Sequence, residues 1–214
     1  TVPGDKDNPY KVDGGAVQVD GLAVEFNIDP VDNPDDFCRN IWKVTSQLTE
    51  MITAFDKSFR LHYTPVAKFR PTIWSIAPEQ SKMLGCSPDY NVKGEVNENP
   101  FMRLEGKPLR TAAGHIHVGW LDPEDFVEDP TAGDHFSTCL DIAKGFFDGH
   151  LSTFVPTTPE EEERLEYYGL WGSFRPKRYG IELRAPSNLW VRSEDSQRKI
   201  FNETREHFRE LTGL

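Results

Sequence analysis

Three short segments of this chain alternate polar and apolar side chains, and this alternation constrains the fold more than any other feature. They are residues 23–28 (AVEFNI), 114–119 (GHIHVG) and 180–184 (GIELR). Successive side chains of a β-strand point to opposite faces of the sheet. The polar side chains within each segment therefore share a face: Glu25 with Asn27, His115 with His117, and Glu182 with Arg184. If the strands belong to one sheet, one face packs on a core and the other carries carboxylates, imidazoles and a guanidinium.

The rest of the chain mixes strand and helix signals without a strict βαβ order. Asp20-Gly21 is a hairpin signal, which predicts strands at 16–19 and 22–28 and places Gln18 opposite Ala23, on the face of Glu25. The patterns also predict an extended segment at 66–76, strands at 109–121 and 178–184, loops at 85–100 and 169–177, and helices at 35–59, 134–151, 158–168 and 193–211. Asp35 or Asp36 is expected to cap the first helix and Ser193 the last. This order favours one α+β domain built on an antiparallel sheet.

Composition excludes several classes of protein. The 214 residues carry a net charge of −11, which disfavours general nucleic-acid binding. No apolar run approaches the ~20 residues of a membrane span, so no membrane partner is expected. Cys38, Cys86 and Cys139 form no CxxC pair, which argues against a zinc ribbon or a disulfide framework. We expect free buried thiols and a reducing, cytoplasmic compartment.

The polar faces fit metal and phosphate chemistry, although each motif also has a purely structural interpretation. Glu25 and its neighbours Gln18 and Asn27 offer the oxygen ligands that Mg²⁺ and Mn²⁺ prefer, but a strand Glu is often only solvent-facing. The two histidines can bind metal or contact phosphate, or be incidental, and zinc would need a third ligand.

Basic residues around the third segment favour a nucleotide. Arg binds phosphate through a bidentate fork, whereas a surface pair of Glu182 with Arg184 would contribute only ~0–1 kcal/mol. The basic residues near these motifs are Arg110, Arg175, Lys177 and Arg178. The chain contains neither GxxxxGK[ST] nor GxGxxG, so a P-loop or Rossmann site is not supported.

Four strings together resemble the phage-type amidoligases, which are carboxylate–amine ligases of type 2 within the glutamine synthetase and glutamate–cysteine ligase superfamily. They are 17–27 (VQVDGLAVEFN), 85–91 (GCSPDYN), 110–119 (RTAAGHIHVG) and 179–190 (YGIELRAPSNLW). The resemblance runs from about residue 1 to residue 195 in the family's motif order.

The resemblance implies one amidoligase catalytic domain over 1–214, with a glutamine-synthetase-like curved antiparallel sheet and helices packed on one face. It implies an ATP- and Mg²⁺- (or Mn²⁺-) dependent ligase that forms an amide, peptide or isopeptide, through an acyl phosphate. The implied metal ligands are Glu25, Glu182, His115 and Gln18. The implied catalytic residues are Glu25, Glu182, Arg184 and Arg110, and the implied cofactor-binding residues are His115, His117, Asn27, Arg175, Lys177 and Arg178.

Two departures from the family pattern leave alternatives open. Gln18 stands where relatives often place a carboxylate, and no strand with Asp-Pro-Glu precedes the hairpin, through truncation or loss.

The expected partners are small-molecule or peptide carboxylates and amines, together with further copies of the chain in a homo-oligomer. The alternatives are a non-catalytic phage binding or structural module that retains the fold, and a metal-dependent hydrolase that uses the histidine pair.

Overall fold

Small antiparallel sheets and amphipathic helices make up the fold, which confirms the α+β class. The computed structural model describes residues 2–82, 89–97, 106–169 and 172–213. Its strands are β1 Tyr10–Val12, β2 Gly15–Asp20, β3 Ala23–Ile28, β4 Val66–Lys68, β5 Leu109–Thr111, β6 Ile116–Gly119, β7 Phe174–Lys177 and β8 Gly180–Leu183. Its α-helices are α1 Pro34–Phe55, α2 Pro71–Ile76, α3 Glu79–Lys82, α4 Gly133–Phe154, α5 Pro159–Leu165 and α6 Glu194–Thr212, with 3₁₀ turns at Pro123–Asp125 and Asn188–Arg192.

The first sheet has the order β1-β2-β3 and packs on α1. Val17 of β2 is fully buried and contacts Val44 and Leu48, which lie four residues apart on one face of the helix. Gly21 lies in the β2–β3 turn with φ +60°, and a Cβ there would come within 2.3 Å of the Ser81 carbonyl oxygen. The turn therefore requires glycine for its conformation and for its close approach to α3.

The third sheet has the order β6-β8-β7, and its register separates a core face from a polar face. On the core face, Phe174 and Ile181 are fully buried and pack with Cys139 of α4 and Ile200 of α6. The polar face carries Glu182, because adjacent strand positions point to opposite faces. The core thus fixes which side of this sheet is available to a ligand.

The expected single sheet is not found in the described part of the chain. The first and third motif strands lie in different sheets, and a second sheet, β4-β5, stands apart from both. The predicted strand at 109–121 divides into β5 and β6, which pair with different partners. The register of the hairpin also differs, since Gln18 pairs with Glu25 rather than Ala23, although the shared face is as predicted.

The longer helices are confirmed, with corrections at their ends. Asn33, not Asp35 or Asp36, caps α1 by accepting from the Asp36 amide, and α1 ends at Phe55. Ser193 caps α6 as predicted. Two smaller predictions were wrong, because the extended segment at 66–76 contains α2 and the loop at 169–177 contains β7.

The cysteines and the helices bear on two further expectations from the sequence, buried free thiols and no membrane span. Cys38 and Cys139 are free and buried, as predicted, whereas Cys86 and most of the 85–91 motif lie outside the described residues. Among the helices described, none combines the length and apolar character that a membrane crossing requires.

Two isoleucines test the core that supports this fold. Ile41 on α1 is 2% exposed and Ile76 on α2 is 79% exposed. We expect Ile41→Ala to lower the free energy of unfolding by about 2–5 kcal/mol through lost burial and a residual cavity. The matched control Ile76→Ala should change it by less than about 0.5 kcal/mol. Urea denaturation measures both, and equal losses would contradict the packing described.

Candidate functional site

Glu182 lies at the centre of the polar face of the third sheet. Its strand register places it beside His117 of β6 on one side and Arg175 of β7 on the other. Lys177 follows Arg175 by two residues and shares its face. Although these neighbours are polar, Glu182 is only 3% exposed. A buried carboxylate therefore stands in the middle of a row of basic and aromatic side chains.

Both carboxylate oxygens of Glu182 are paired. Oε2 lies 2.8 Å from Lys177 Nζ and 3.3 Å from Arg175 Nη1, while Oε1 accepts from Arg184 Nη1 and lies 3.1 Å from His115 Nδ1. Burial by itself would raise the pKa of Glu182, but the His115 hydrogen bond and the charges of Arg184 and Lys177 hold it well below its usual range. Glu182 is therefore ionised at any physiological pH.

A closed ring of hydrogen bonds links Glu182 to Arg184, Tyr168 and His115. Arg184 donates to Glu182 through Nη1 and to the Tyr168 hydroxyl through Nη2. The Tyr168 hydroxyl lies 2.9 Å from His115 Nε2. Since burial and then the Arg184 charge lower the pKa of His115 to about 4, the imidazole is neutral at pH 7. It donates from Nδ1 to Glu182 and accepts at Nε2 from Tyr168. We call these four residues with Arg175 and Lys177 the Glu182 cluster.

Asp89 extends the cluster into a loop. Arg184 Nε donates to Asp89 Oδ2 at 2.8 Å, and Asn97 donates to Asp89 Oδ1 at 2.7 Å. The Asn97 amide also reaches Ser173 Oγ at 3.1 Å, just before β7. Sequence reasoning missed Asp89 and Tyr168 as site residues. Asp89 lies within the string 85–91 that carried the family resemblance, whereas Tyr168 gave no sequence signal beyond its place at the end of a predicted helix.

His117 and Arg178 occupy the margin of this face. His117 Nδ1 lies 2.5 Å from the Tyr179 hydroxyl, and desolvation lowers the pKa of His117. Burial, followed by the charge of Glu182, raises the pKa of Tyr179 to about 12. Arg178 in the β7–β8 turn is exposed and donates through Nε to the Val127 carbonyl at 2.9 Å. The expected ligand-binding role of Arg178 is therefore not supported, because its guanidinium is directed at a loop.

A second polar cluster lies on the first sheet. Gln18 Nε2 donates to Glu25 Oε2 at 2.8 Å, and Arg110 of β5 pairs with Asp20. Glu25 is an exposed residue, yet desolvation and then the nearby Asp20 charge raise its pKa to about 7. Asn27 shares this face two residues further along β3. We call Asp20 and Glu25 the acidic pair; the sequence placed Asp20 only in a turn.

The two clusters are separate but close along the chain. Within the described residues, the hydrogen bonds and ion pairs of Glu25 and those of Glu182 do not join the two carboxylates. Arg110 in one cluster and His115 in the other are five residues apart, so their Cα atoms can be separated by at most about 18 Å. A ligand with several charged groups can span that distance.

The geometry separates the expected metal ligands into two groups. Three cations and a neutral imidazole already surround Glu182, and both ring nitrogens of His115 are engaged. In this arrangement the charge of Glu182 is already balanced by cations and both nitrogens of His115 have partners, so the expected role of these two residues as metal ligands stays a prediction. Desolvation and the charge of Asp20 both raise the pKa of Glu25, and a cation beside the acidic pair would offset both effects. The described residues hold no group of three or more His, Cys, Asp or Glu side chains arranged for a metal.

Comparisons of this chain with protein-family models, with curated proteins and with solved structures find no match.

The acidic pair gives a direct prediction for Glu25. We expect the Glu25 carboxyl to titrate near pH 7 by ¹³C NMR, and Asp20→Asn to lower this midpoint because it removes the neighbouring negative charge. The native state holds this proton more tightly than the unfolded chain, whose pKa is near 4.5. The contribution of Glu25 to the free energy of unfolding therefore falls as the pH rises from about 4.5 to 7. A midpoint near 4.5 in the folded chain would contradict the described environment.

Proposed function

We propose that this chain is an ATP-dependent carboxylate–amine ligase that forms an amide bond. One observation carries the proposal: residues from three of the four strings that resemble the amidoligases lie together in the fold. His115 comes from 110–119, Glu182 and Arg184 come from 179–190, and Asp89 comes from 85–91. Residues up to about 95 positions apart thereby form one hydrogen-bonded cluster.

The basic face supports binding of a triphosphate. The chain has a net charge of −11, yet three cations converge on the polar face of the third sheet. Arg175 and Lys177 side chains remain 20% and 29% exposed, whereas Arg184 is 4% exposed. Arg175 and Lys177 therefore contact the phosphates in this proposal, while Arg184 holds Glu182, Asp89 and Tyr168 in place.

The acidic pair supports binding of Mg²⁺ or Mn²⁺. Asp20 and Glu25 would hold the ion with carboxylate oxygens, and Gln18 can add its amide oxygen. When bound, the ion supplies positive charge that offsets the phosphates and the developing charge of the transition state. Arg110 is 5% exposed and pairs with Asp20, so it fixes the orientation of that carboxylate.

The reaction follows the chemistry implied by the resemblance. A substrate carboxylate oxygen bonds to the γ-phosphorus of ATP, and the bond from that phosphorus to the ADP oxygen breaks. A substrate amine then bonds to the carbonyl carbon of the acyl phosphate, inorganic phosphate leaves, and the amine nitrogen loses a proton. The residues of this chain bind and orient the charged groups, and such positioning and charge stabilisation account for most catalysis of phosphoryl transfer.

A non-catalytic binding or structural module is the second candidate, and the hydrogen-bond ring favours it. Glu182, His115 and Tyr168 each have partners inside the ring. Such a network holds Tyr168 and its loop on the sheet without any ligand. Binding of ATP distinguishes the two candidates.

We expect Lys177→Met and Arg175→Met each to weaken Mg-ATP binding at least about tenfold, because a hydrogen bond to a charged group contributes about 1.5–3 kcal/mol. The matched control Arg178→Met should bind like the wild type, since Arg178 is directed at Val127. Isothermal titration calorimetry measures all three. Absence of binding by the wild type would favour the module, and equal weakening by Arg178→Met would contradict the assigned face.

Activity provides a separate prediction. ATP consumption with a mixture of amino acids and peptides should depend on Mg²⁺ or Mn²⁺, and Glu25→Gln or Glu182→Gln should lower the rate on the order of 10²-fold or more, as losses of electrostatic stabilisers do. Glu124→Gln, at an exposed position, is the control. Unchanged turnover in both site variants would refute the proposal, and activity with zinc but without ATP would indicate the hydrolase.

A further inference from the structure

Helix α5 contains a buried ion pair that the proposed function does not use. Glu161 is 1% exposed and Arg164 is 0% exposed, and Arg164 Nε donates to Glu161 Oε2 at 2.7 Å. The two residues lie three positions apart on one face of the helix, whose first turn Thr158 caps. Charged residues are rarely buried to this degree unless they are paired.

Packing stability alone does not account for this pair. Glu161 Oε1 and Arg164 Nη1 are buried, and among the residues that the structure describes neither atom has a hydrogen-bond partner. Each buried polar atom without a partner costs free energy, and buried ion pairs often stabilise a fold no better than apolar residues of the same volume. The position of Arg164 therefore calls for another explanation.

Arg164 connects two of the three chain segments that supply the hydrogen-bond ring. Its Nη2 donates to the Ala185 carbonyl at 2.6 Å, immediately after Arg184. Its own carbonyl accepts from the Tyr168 amide at 2.8 Å. One fully buried residue thus holds the backbone on either side of the contact between Arg184 and Tyr168.

Gly169 shows how closely these segments approach. It follows Tyr168 with φ +81°, and a Cβ at this position would lie 2.7 Å from Arg164 Nη1 and 3.4 Å from Ala185 Cα. A side chain would displace the guanidinium as well as strain the backbone. The absence of a side chain at Gly169, next to Tyr168, therefore leaves room for Arg164 to reach Ala185.

We infer that Glu161 and Arg164 form a positioning pair that holds the Tyr168 hydroxyl against Arg184 and His115. Tyr168 then donates to His115 Nε2, which keeps the neutral imidazole in the tautomer that carries its proton on Nδ1 and donates to Glu182. This inference concerns the geometry of the free protein, so it does not depend on which ligand the site binds.

The ¹⁵N resonances of the His115 imidazole test this inference, since they report which nitrogen carries the proton and whether the other accepts a hydrogen bond. The signals are assigned by their loss in His115→Gln. We expect the wild type to show a protonated Nδ1 and a hydrogen-bonded Nε2. Tyr168→Phe should shift the Nε2 resonance towards that of an imidazole without this bond, and Arg164→Met should shift it in the same direction.

Glu161→Gln and Glu162→Gln provide a matched pair on adjacent positions of α5. Glu161 is buried and Glu162 is exposed, so only Glu161→Gln should move the Nε2 resonance and lower the Tm. If Arg164→Met does not fold, Gly169→Ala displaces the same guanidinium and should produce the same shift. A lower Tm with a wild-type Nε2 resonance would reduce the pair to a structural role and overturn the inference. An unchanged Nε2 resonance in Tyr168→Phe would mean that Tyr168 does not donate to His115, and this would also overturn the inference.

Discussion

The burial of the Glu182 carboxylate is the constraint on which the rest of the site depends. An ionised carboxylate removed from water costs several kcal/mol unless cations and hydrogen-bond donors surround it. Strand β7 supplies Arg175 and Lys177, and the positions that flank β6 and β8 supply His115 and Arg184. Because His115 is far from the other partners in the sequence, pairing this one charge brings distant segments together.

The three cations around Glu182 differ in their access to solvent. Arg184 is enclosed by Glu182, Asp89 and Tyr168, so its guanidinium is held in one orientation. Arg175 and Lys177 reach the same carboxylate but retain contact with solvent. In the proposed function, Arg184 keeps the site rigid, while Arg175 and Lys177 attract the phosphates. In the same proposal the acidic pair, on the first sheet, would hold the metal ion of a metal–triphosphate complex.

The sequence predicts which residues share a polar face better than it predicts which strands form a sheet. Alternation alone identifies Glu25, His117 and Glu182 as members of polar faces, because side-chain direction in a strand is a local property. Which strands hydrogen-bond to each other is not local. The segment 112–115 separates β5 from β6, and the predicted single strand becomes two strands in different sheets.

Residues that join the site through tertiary contacts are the ones that sequence patterns miss. Tyr168 and Asp89 reach Arg184 from loops, and no periodicity marks them. Arg178 shows the opposite case, in which neighbours in the sequence point to different places in the fold. It stands beside Lys177 in sequence, yet the β7–β8 turn directs it to the Val127 carbonyl.

The most direct measurement is a crystal structure of the chain with Mg²⁺ and a non-hydrolysable ATP analogue. The account predicts that the triphosphate lies over the polar face of the third sheet, with phosphate oxygens on Arg175 and Lys177 and the cation at Asp20 and Glu25. A nucleotide bound elsewhere, or a triphosphate that contacts neither Arg175 nor Lys177, would contradict it.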